Sequence, residues 1–212
     1  AHDVTHIQVA GHFPLSYAEQ LRNWGFSVEA ASGSLFPRRA VKSAHEIHHL
    51  ARAERMAKRA MRQAEGFLEA CGVGNDGILR HPDTGSRVRS QHVRAVIETW
   101  LIRHGASPSH TIVACGRESA DPHNIGHGFI RARQPIIMDI FPRMLDSGYW
   151  GDMTRTYVKG KADARIRKLY RTVREGQDIG LGMAADGVNG ADIHRAISEH
   201  FATHGFPTKI HR

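Results

Sequence analysis

The chain has 212 residues, 41% hydrophobic, with 21 glycines and two cysteines: room for one large domain or one and a half, with a core that needs no covalent staples. Its apolar runs, such as Ile136-Ile137-Met138, fall far short of the ~20 residues of a membrane span; Cys71 and Cys115 cannot build a disulfide framework, which points to a reducing compartment, expected to be the cytoplasm. The formal charge of +8 is spread along the chain with no run of five basic residues, so solvated helix faces explain it better than a nucleic-acid surface.

In chain order, Val4 to Val9 alternates and predicts a short strand, and Tyr17 to Trp24 predicts a short helix stopped by Gly25. Ala31 to Ser34 and Phe36-Pro37 read as a linker. A long helix is expected from Lys42 to Cys71, because Ile47, Leu50, Ala51, Ala57, Met61, Ala64, Leu68 and Cys71 recur at steps of three and four and make one buried face. Gly72 to Arg80 is a glycine-rich break. A second helix is expected over Ser86 to His104, with Gly105 as its stop. Strands follow at Thr111 to Cys115, Pro135 to Phe141 and Tyr149 to Val158, then helices over Asp163 to Ala185 and Gly190 to His204. Helices beside hairpin-connected strands indicate an α+β fold. Ala1 to Gly11 lacks a leader pattern, and the sequence reads as cut at both ends.

The stretch from Pro135 to Gly160 is the most informative. Asp139 interrupts an apolar strand, where an ionised carboxylate needs a positive or hydrogen-bonding partner. A regular hairpin turning at Leu145 and Asp146 would pair Phe141 with Trp150, Ile140 with Gly151 and Asp139 with Asp152. Directly opposed residues share a face, with Cβ atoms ~4.5–5.5 Å apart. Two carboxylates so placed must share a proton or share cations. Thr154 and Thr156 would add oxygens to that face. Oxygen donors of this kind suit a hard or borderline divalent ion, manganese more naturally than a thiolate-loving metal. A strand-end cap at Asp139 and an Asx turn at Asp152 would account for the same residues without an ion, and a bulge would undo the register.

Asp139, the Gly148-Tyr149 turn and Asp152-Met-Thr-Arg-Thr156 resemble the aspartate-bearing signature of the pita-bread metallopeptidases, which include Xaa-Pro aminopeptidases, prolidases, methionine aminopeptidases and creatinase. Lys42-Ser-Ala-His-Glu-Ile47 resembles the opening of the first catalytic-domain helix in the aminopeptidase P and prolidase branch. Pro122-His123 and Gly187-Val-Asn-Gly-Ala-Asp-Ile193 resemble further family segments in the same order. The resemblance implies an incomplete pita-bread fold, an antiparallel sheet flanked by helices, over residues 36–212, with residues 1–35 the end of an amino-terminal domain. It also implies two divalent ions (manganese, with cobalt and zinc as alternatives) held in part by Asp139 and Asp152, and a water or hydroxide shared by the ions that attacks the scissile carbonyl. His123 matches the family's non-ligand histidine, which hydrogen-bonds the substrate or the tetrahedral intermediate; His127 is its rival. The implied activity is an exopeptidase acting on peptides with proline at the second position. No membrane or nucleic-acid partner is expected, and a homodimer is left open. The aspartates are 13 residues apart, two more than is usual in the family, which keeps the parity of the two strands. The family's remaining ligands, one histidine and two glutamates, are expected beyond residue 212, and His211 is not taken as one of them. Residues 1–212 alone are therefore expected to turn over negligible peptide and to bind metal weakly.

Rival readings are a pita-bread domain used only to bind protein or nucleic acid, a creatinase-like hydrolase, and a zinc protease built on His45-Glu46-Ile47-His48-His49, which matches H-E-x-x-H. For the last, the helical projection turns His45 and His49 away from the apolar stripe and Glu46 towards its edge, which does not suit a zinc cleft. Gly72 to Gly77 lacks the lysine of a phosphate loop. Cys71 and Cys115 are expected to be buried, and Arg155 to take part in a structural ion pair.

Overall fold

The computed structural model describes residues 4–208. The chain divides into two compact units, residues 1–49 and 50–212.

In the first unit, β1 (His6–Val9), α1 (Leu15–Asn23) and β2 (Ser27–Ala30) form a parallel pair joined by a helical crossover. Gly25 takes φ 88° after α1, and its N–H closes on Arg22 O, which ends the helix where the sequence placed the stop. The second strand was not foreseen: only Val28 of its four residues is buried, so it carries almost no alternation signal. A 3-10 turn at Pro37–Ala40 precedes α2 (Ala44–Ala70). This helix starts on a capping box in which Glu46 accepts from Ser43 N and Oγ at 2.7 and 2.9 Å while Ser43 Oγ accepts from Glu46 N.

The second unit holds the long part of α2, then β3 (Gly72–Val73), β4 (Leu79–Arg80), α3 (Ser90–Arg103), β5 (Ala106–Ser107), β6 (Ile112–Cys115), β7 (Ile136–Ile140), β8 (Arg143–Met144), β9 (Met153–Tyr157), α4 (Ala164–Met183) and α5 (Gly190–Thr203). The glycine-rich break is thus a small antiparallel pair, β3 with β4. The main sheet is antiparallel in the order β6-β7-β9, and β5 pairs with β8. Its core face carries Ile136, Met138 and Ile140 of β7, all fully buried with Val93, Ile97 and Leu101 of α3.

The buried face of α2 is Ala53, Ala57, Ala60, Met61, Ala64 and Leu68, a row of mostly small residues that allows close approach. The expected stripe is right from Ala57 onward, but Ile47 is 56% exposed. Both cysteines are buried, as expected, and burial pushes both thiols up.

Helices α4 and α5 form an antiparallel hairpin of their own. Asp163 caps α4 by accepting from Ile166 N, and Asn189 caps α5 by accepting from Ala191 N. Gly176 is buried where the ring of Phe201 enters; a Cβ there would lie 2.6 Å from Phe201 Cε1.

Candidate metal centre

The strand β7 alternates buried and half-buried positions, which puts Ile137 and Asp139 on the face opposite the core. The carboxylate therefore does not interrupt an apolar surface, as the sequence suggested; it belongs to the polar face. Asp139 lies directly opposite Thr154, and Thr154 Oγ1 donates to Asp139 Oδ1 at 2.5 Å.

The expected pairing of Asp139 with Asp152 is displaced by two residues: Ile140 faces Met153, and Asp152 immediately precedes β9. The turn explains the shift. Met144 N donates to Tyr149 O, and Gly148 N closes back on Met144 O, so the loop is the four residues Leu145 to Gly148. Gly148 holds φ 72°, a conformation cheap only for glycine, and this fixes the centre of the hairpin one residue later than an Leu145-Asp146 turn would. A shift of two preserves parity, so strand alternation keeps Asp152 on the Asp139 side as a diagonal neighbour.

Three consecutive residues of α2 hold this hairpin. Arg52 Nη1 donates to Asp146 Oδ2 at 2.6 Å, and this hydrogen bond holds the Asp146 carboxyl below the usual carboxylate range. A Cβ on Gly151 would lie 2.3 Å from the carbonyl oxygen of Ala53, so the strand lies directly on the helix backbone. Glu54 Oε1 accepts from the backbone N–H of Asp152 at 3.1 Å. Sequence reasoning missed Glu54 and Gly151. The partners of Glu54 lie 98 residues downstream, and no local pattern announces them.

Among the described residues neither Asp139 nor Asp152 forms an ion pair; their contacts are the Thr154 hydroxyl and, at the Asp152 backbone, Glu54. Two carboxylates without a lysine or arginine ion pair among the described residues, with the Thr154 hydroxyl beside one of them, are donors that suit oxygen-preferring divalent ions. Arg155 departs from expectation: it donates to Thr154 O at 2.7 Å and enters no ion pair among the described residues.

His123 and His127 both lie on the exposed segment between β6 and β7. Asp121 Oδ1 accepts from His123 N, while the Glu118 carboxylate accepts from the backbone N–H groups of His127 and Gly128. His123 is thus on a local Asx turn, and His127 on a carboxylate-braced loop. Gly126 between them is obligatory, with φ 77° and the Val113 carbonyl oxygen 1.9 Å from where a Cβ would sit.

The H-E-x-x-H stretch is otherwise occupied. Glu46 serves the capping box, and the rings of His45 and His49 meet edge to face with centroids 4.4 Å apart. Among the described residues no third histidine, cysteine or carboxylate completes a ligand group with them. His211 lies outside the described residues.

Comparison with known proteins bears on the whole arrangement. The family model for metallopeptidase family M24 matches residues 48–212. An uncharacterised peptidase of Bacillus subtilis is 24% identical over 171 residues, covering 79% of this chain and 43% of its own length. The Xaa-Pro dipeptidase of Pyrococcus furiosus is 25% identical over 148 residues, covering 68% of this chain and 42% of its own. Among solved structures, the prolidase from Pyrococcus furiosus superposes with a TM-score of 0.78 at 22% identity, covering 94% of this chain and 55% of that one. The X-Pro aminopeptidase from Thermotoga maritima gives 0.75 at 20% identity, covering 95% and 54%. The chain spans about two fifths of the length of these curated relatives and about half that of the structures. The fold is the pita-bread fold, present in part, with helices beside antiparallel sheets. The chain belongs to metallopeptidase family M24.

Proposed function

We propose that residues 36–212 are the first part of a dimetal exopeptidase domain that cleaves between an amino-terminal residue and proline, and that residues 1–35 end a preceding domain. The observation that carries this reading is the polar face of the β7–β9 ribbon: Asp139 held by Thr154, and Asp152 two residues before Thr154 at the start of the neighbouring strand. Asp139 and Asp152 would hold divalent ions, manganese by the hardness of the donors, with cobalt and zinc as alternatives. Such ions supply Lewis acidity at the scissile carbonyl and a nucleophile near neutral pH.

The chain's own residues do the rest. Thr154 holds the Asp139 carboxylate through its hydroxyl, and Glu54 fixes the backbone of Asp152 through its N–H, so one carboxylate and the main chain that carries the other are set before any ion arrives. His123, exposed on its Asx turn, would donate a hydrogen bond to the substrate carbonyl as negative charge develops on it. Names of relatives at low identity, an Xaa-Pro dipeptidase and an X-Pro aminopeptidase, support proline at the second position and peptide substrates. No helix of the described residues is long and apolar enough to cross a membrane, and the buried, unpaired cysteines fit the reducing cytoplasm.

A domain that only binds a protein or nucleic acid is the rival, and retention of both aspartates opposes it. The test is hydrolysis of Xaa-Pro dipeptides and of longer Xaa-Pro peptides by the whole protein with manganese. Asp139→Asn and Asp152→Asn are each expected to lower kcat/KM by more than about 100-fold, since even outer-shell changes at metal sites cost 10–100-fold. Unchanged turnover in both variants, or a wild-type protein that hydrolyses no such peptide, would overturn the proposal.

A further inference from the structure

A second group of ligand-type side chains lies away from the aspartate pair, where α4 meets α5. Glu175, His200 and His204 each offer one ligand atom, and these atoms all lie within 4.8 Å of one another. We propose that this trio is a separate divalent-cation site, suited to zinc, that ties α5 to α4 and is independent of the peptidase reading.

His200 and His204 are four residues apart at the end of α5, the spacing that places two imidazoles on one helix face. Their ring centroids are 4.2 Å apart. Gly176 admits Phe201 against α4, and this close approach brings Glu175, one residue earlier, to the histidine pair. His200 Nε2 and Glu175 Oε2 are 3.1 Å apart. Two ligand atoms on a zinc tetrahedron with bonds of ~2.0–2.1 Å lie about 3.3 Å apart, so that edge already has nearly the right length.

A hydrogen bond behind the His204 imidazole holds it in place. The carbonyl oxygen of His200 accepts from His204 Nδ1 at 2.8 Å and from Thr203 Oγ1 at 2.9 Å. With the proton on Nδ1 engaged in this way, the lone pair of His204 is left on Nε2, the nitrogen that can then take a metal. The side chain of His200 is only 17% exposed while Glu175 is 53% exposed, so the group is rooted in the helix interface and open to ions from outside. Two imidazoles and one carboxylate leave the fourth position to water, and this mixed nitrogen and oxygen set selects a borderline ion over magnesium or calcium. Without an ion, the same residues would form an ordinary histidine–glutamate pair across two helices, and the experiment separates these cases.

Zinc is titrated into the chain in competition with a chromophoric chelator, and cobalt is substituted to read the coordination from its visible bands. The Asp139→Asn/Asp152→Asn double variant is expected to lose only the weak ion binding of the aspartates, and both it and the His45→Gln/His49→Gln double variant are expected to keep the parent's one tight zinc, with four-coordinate cobalt bands. His200→Gln, His204→Gln and Glu175→Gln are each expected to weaken zinc at least tenfold and to lose those bands. Glu175→Gln alters a half-exposed side chain and keeps the test open should a histidine variant fold poorly. Equal zinc affinity in these three variants, loss of the tight zinc in either control variant, or no tight zinc in the parent chain would overturn the proposal. Because the aspartate variants retain zinc under it, its failure and the failure of the peptidase reading are distinguishable.

Discussion

Asp76 shows how much one residue in a plain glycine-rich break can organise. Its carboxylate accepts from Ile78 N at 3.1 Å and from Arg80 Nη2 at 3.0 Å, and it pairs with Arg87 at 3.0 Å. The backbone hydrogen bond from Ile78, with the charges of Arg80 and Arg87 behind it, holds the carboxyl below its usual value of 3.8. A carboxyl depressed in the folded state stabilises fully above its unfolded pKa, and that contribution disappears as pH falls through the lowered folded value. Asp76→Asn is therefore expected to melt earlier than the parent at neutral pH and to show a shallower fall of Tm below about pH 4. Thermal melts over a pH series check this; parallel Tm profiles for parent and variant would contradict it. The sequence displayed Asp76 but not its role, because Arg80 takes its position from the β3–β4 pair and Arg87 from an antiparallel bridge to Arg80, not from a local motif.

At the scale of elements, helices and strands were legible wherever periodicity is strong. The long α2, the central β7 and the α4–α5 hairpin appear within a few residues of their expected bounds. Register was not legible. The choice between two-residue and four-residue loops depends on which residue takes the left-handed conformation, and Gly148 decides it in three dimensions. The hold of α2 on the hairpin was equally hidden, since Arg52 and Asp146 are 94 residues apart in sequence. Gly151 is where this hold is tightest, and Gly151→Ala would drive a Cβ into the Ala53 carbonyl, where neither backbone can easily yield. The expected cost is about 1–3 kcal/mol, typical of overpacking, seen as a lower urea midpoint. An unchanged midpoint would show that the helix and the strand do not bear on each other there.

For the molecule as a whole, the family was legible before the geometry because several motifs occur in one order, each weak alone. What the sequence could not display was the Glu175–His200 contact, because the glutamate reaches the histidines from another helix, 25 residues before His200 in the chain. Ion binding by the aspartates on the polar face of the sheet comes before any catalysis there. Manganese, which prefers oxygen donors over the imidazoles of α5, probes it most directly. In a titration of residues 1–212 followed by loss of the free-ion paramagnetic resonance signal, the parent chain is expected to bind manganese weakly. Asp139→Asn and Asp152→Asn are each expected to weaken that binding at least tenfold, with His200→Gln indistinguishable from the parent. Manganese affinity that survives both aspartate substitutions unchanged would contradict the account.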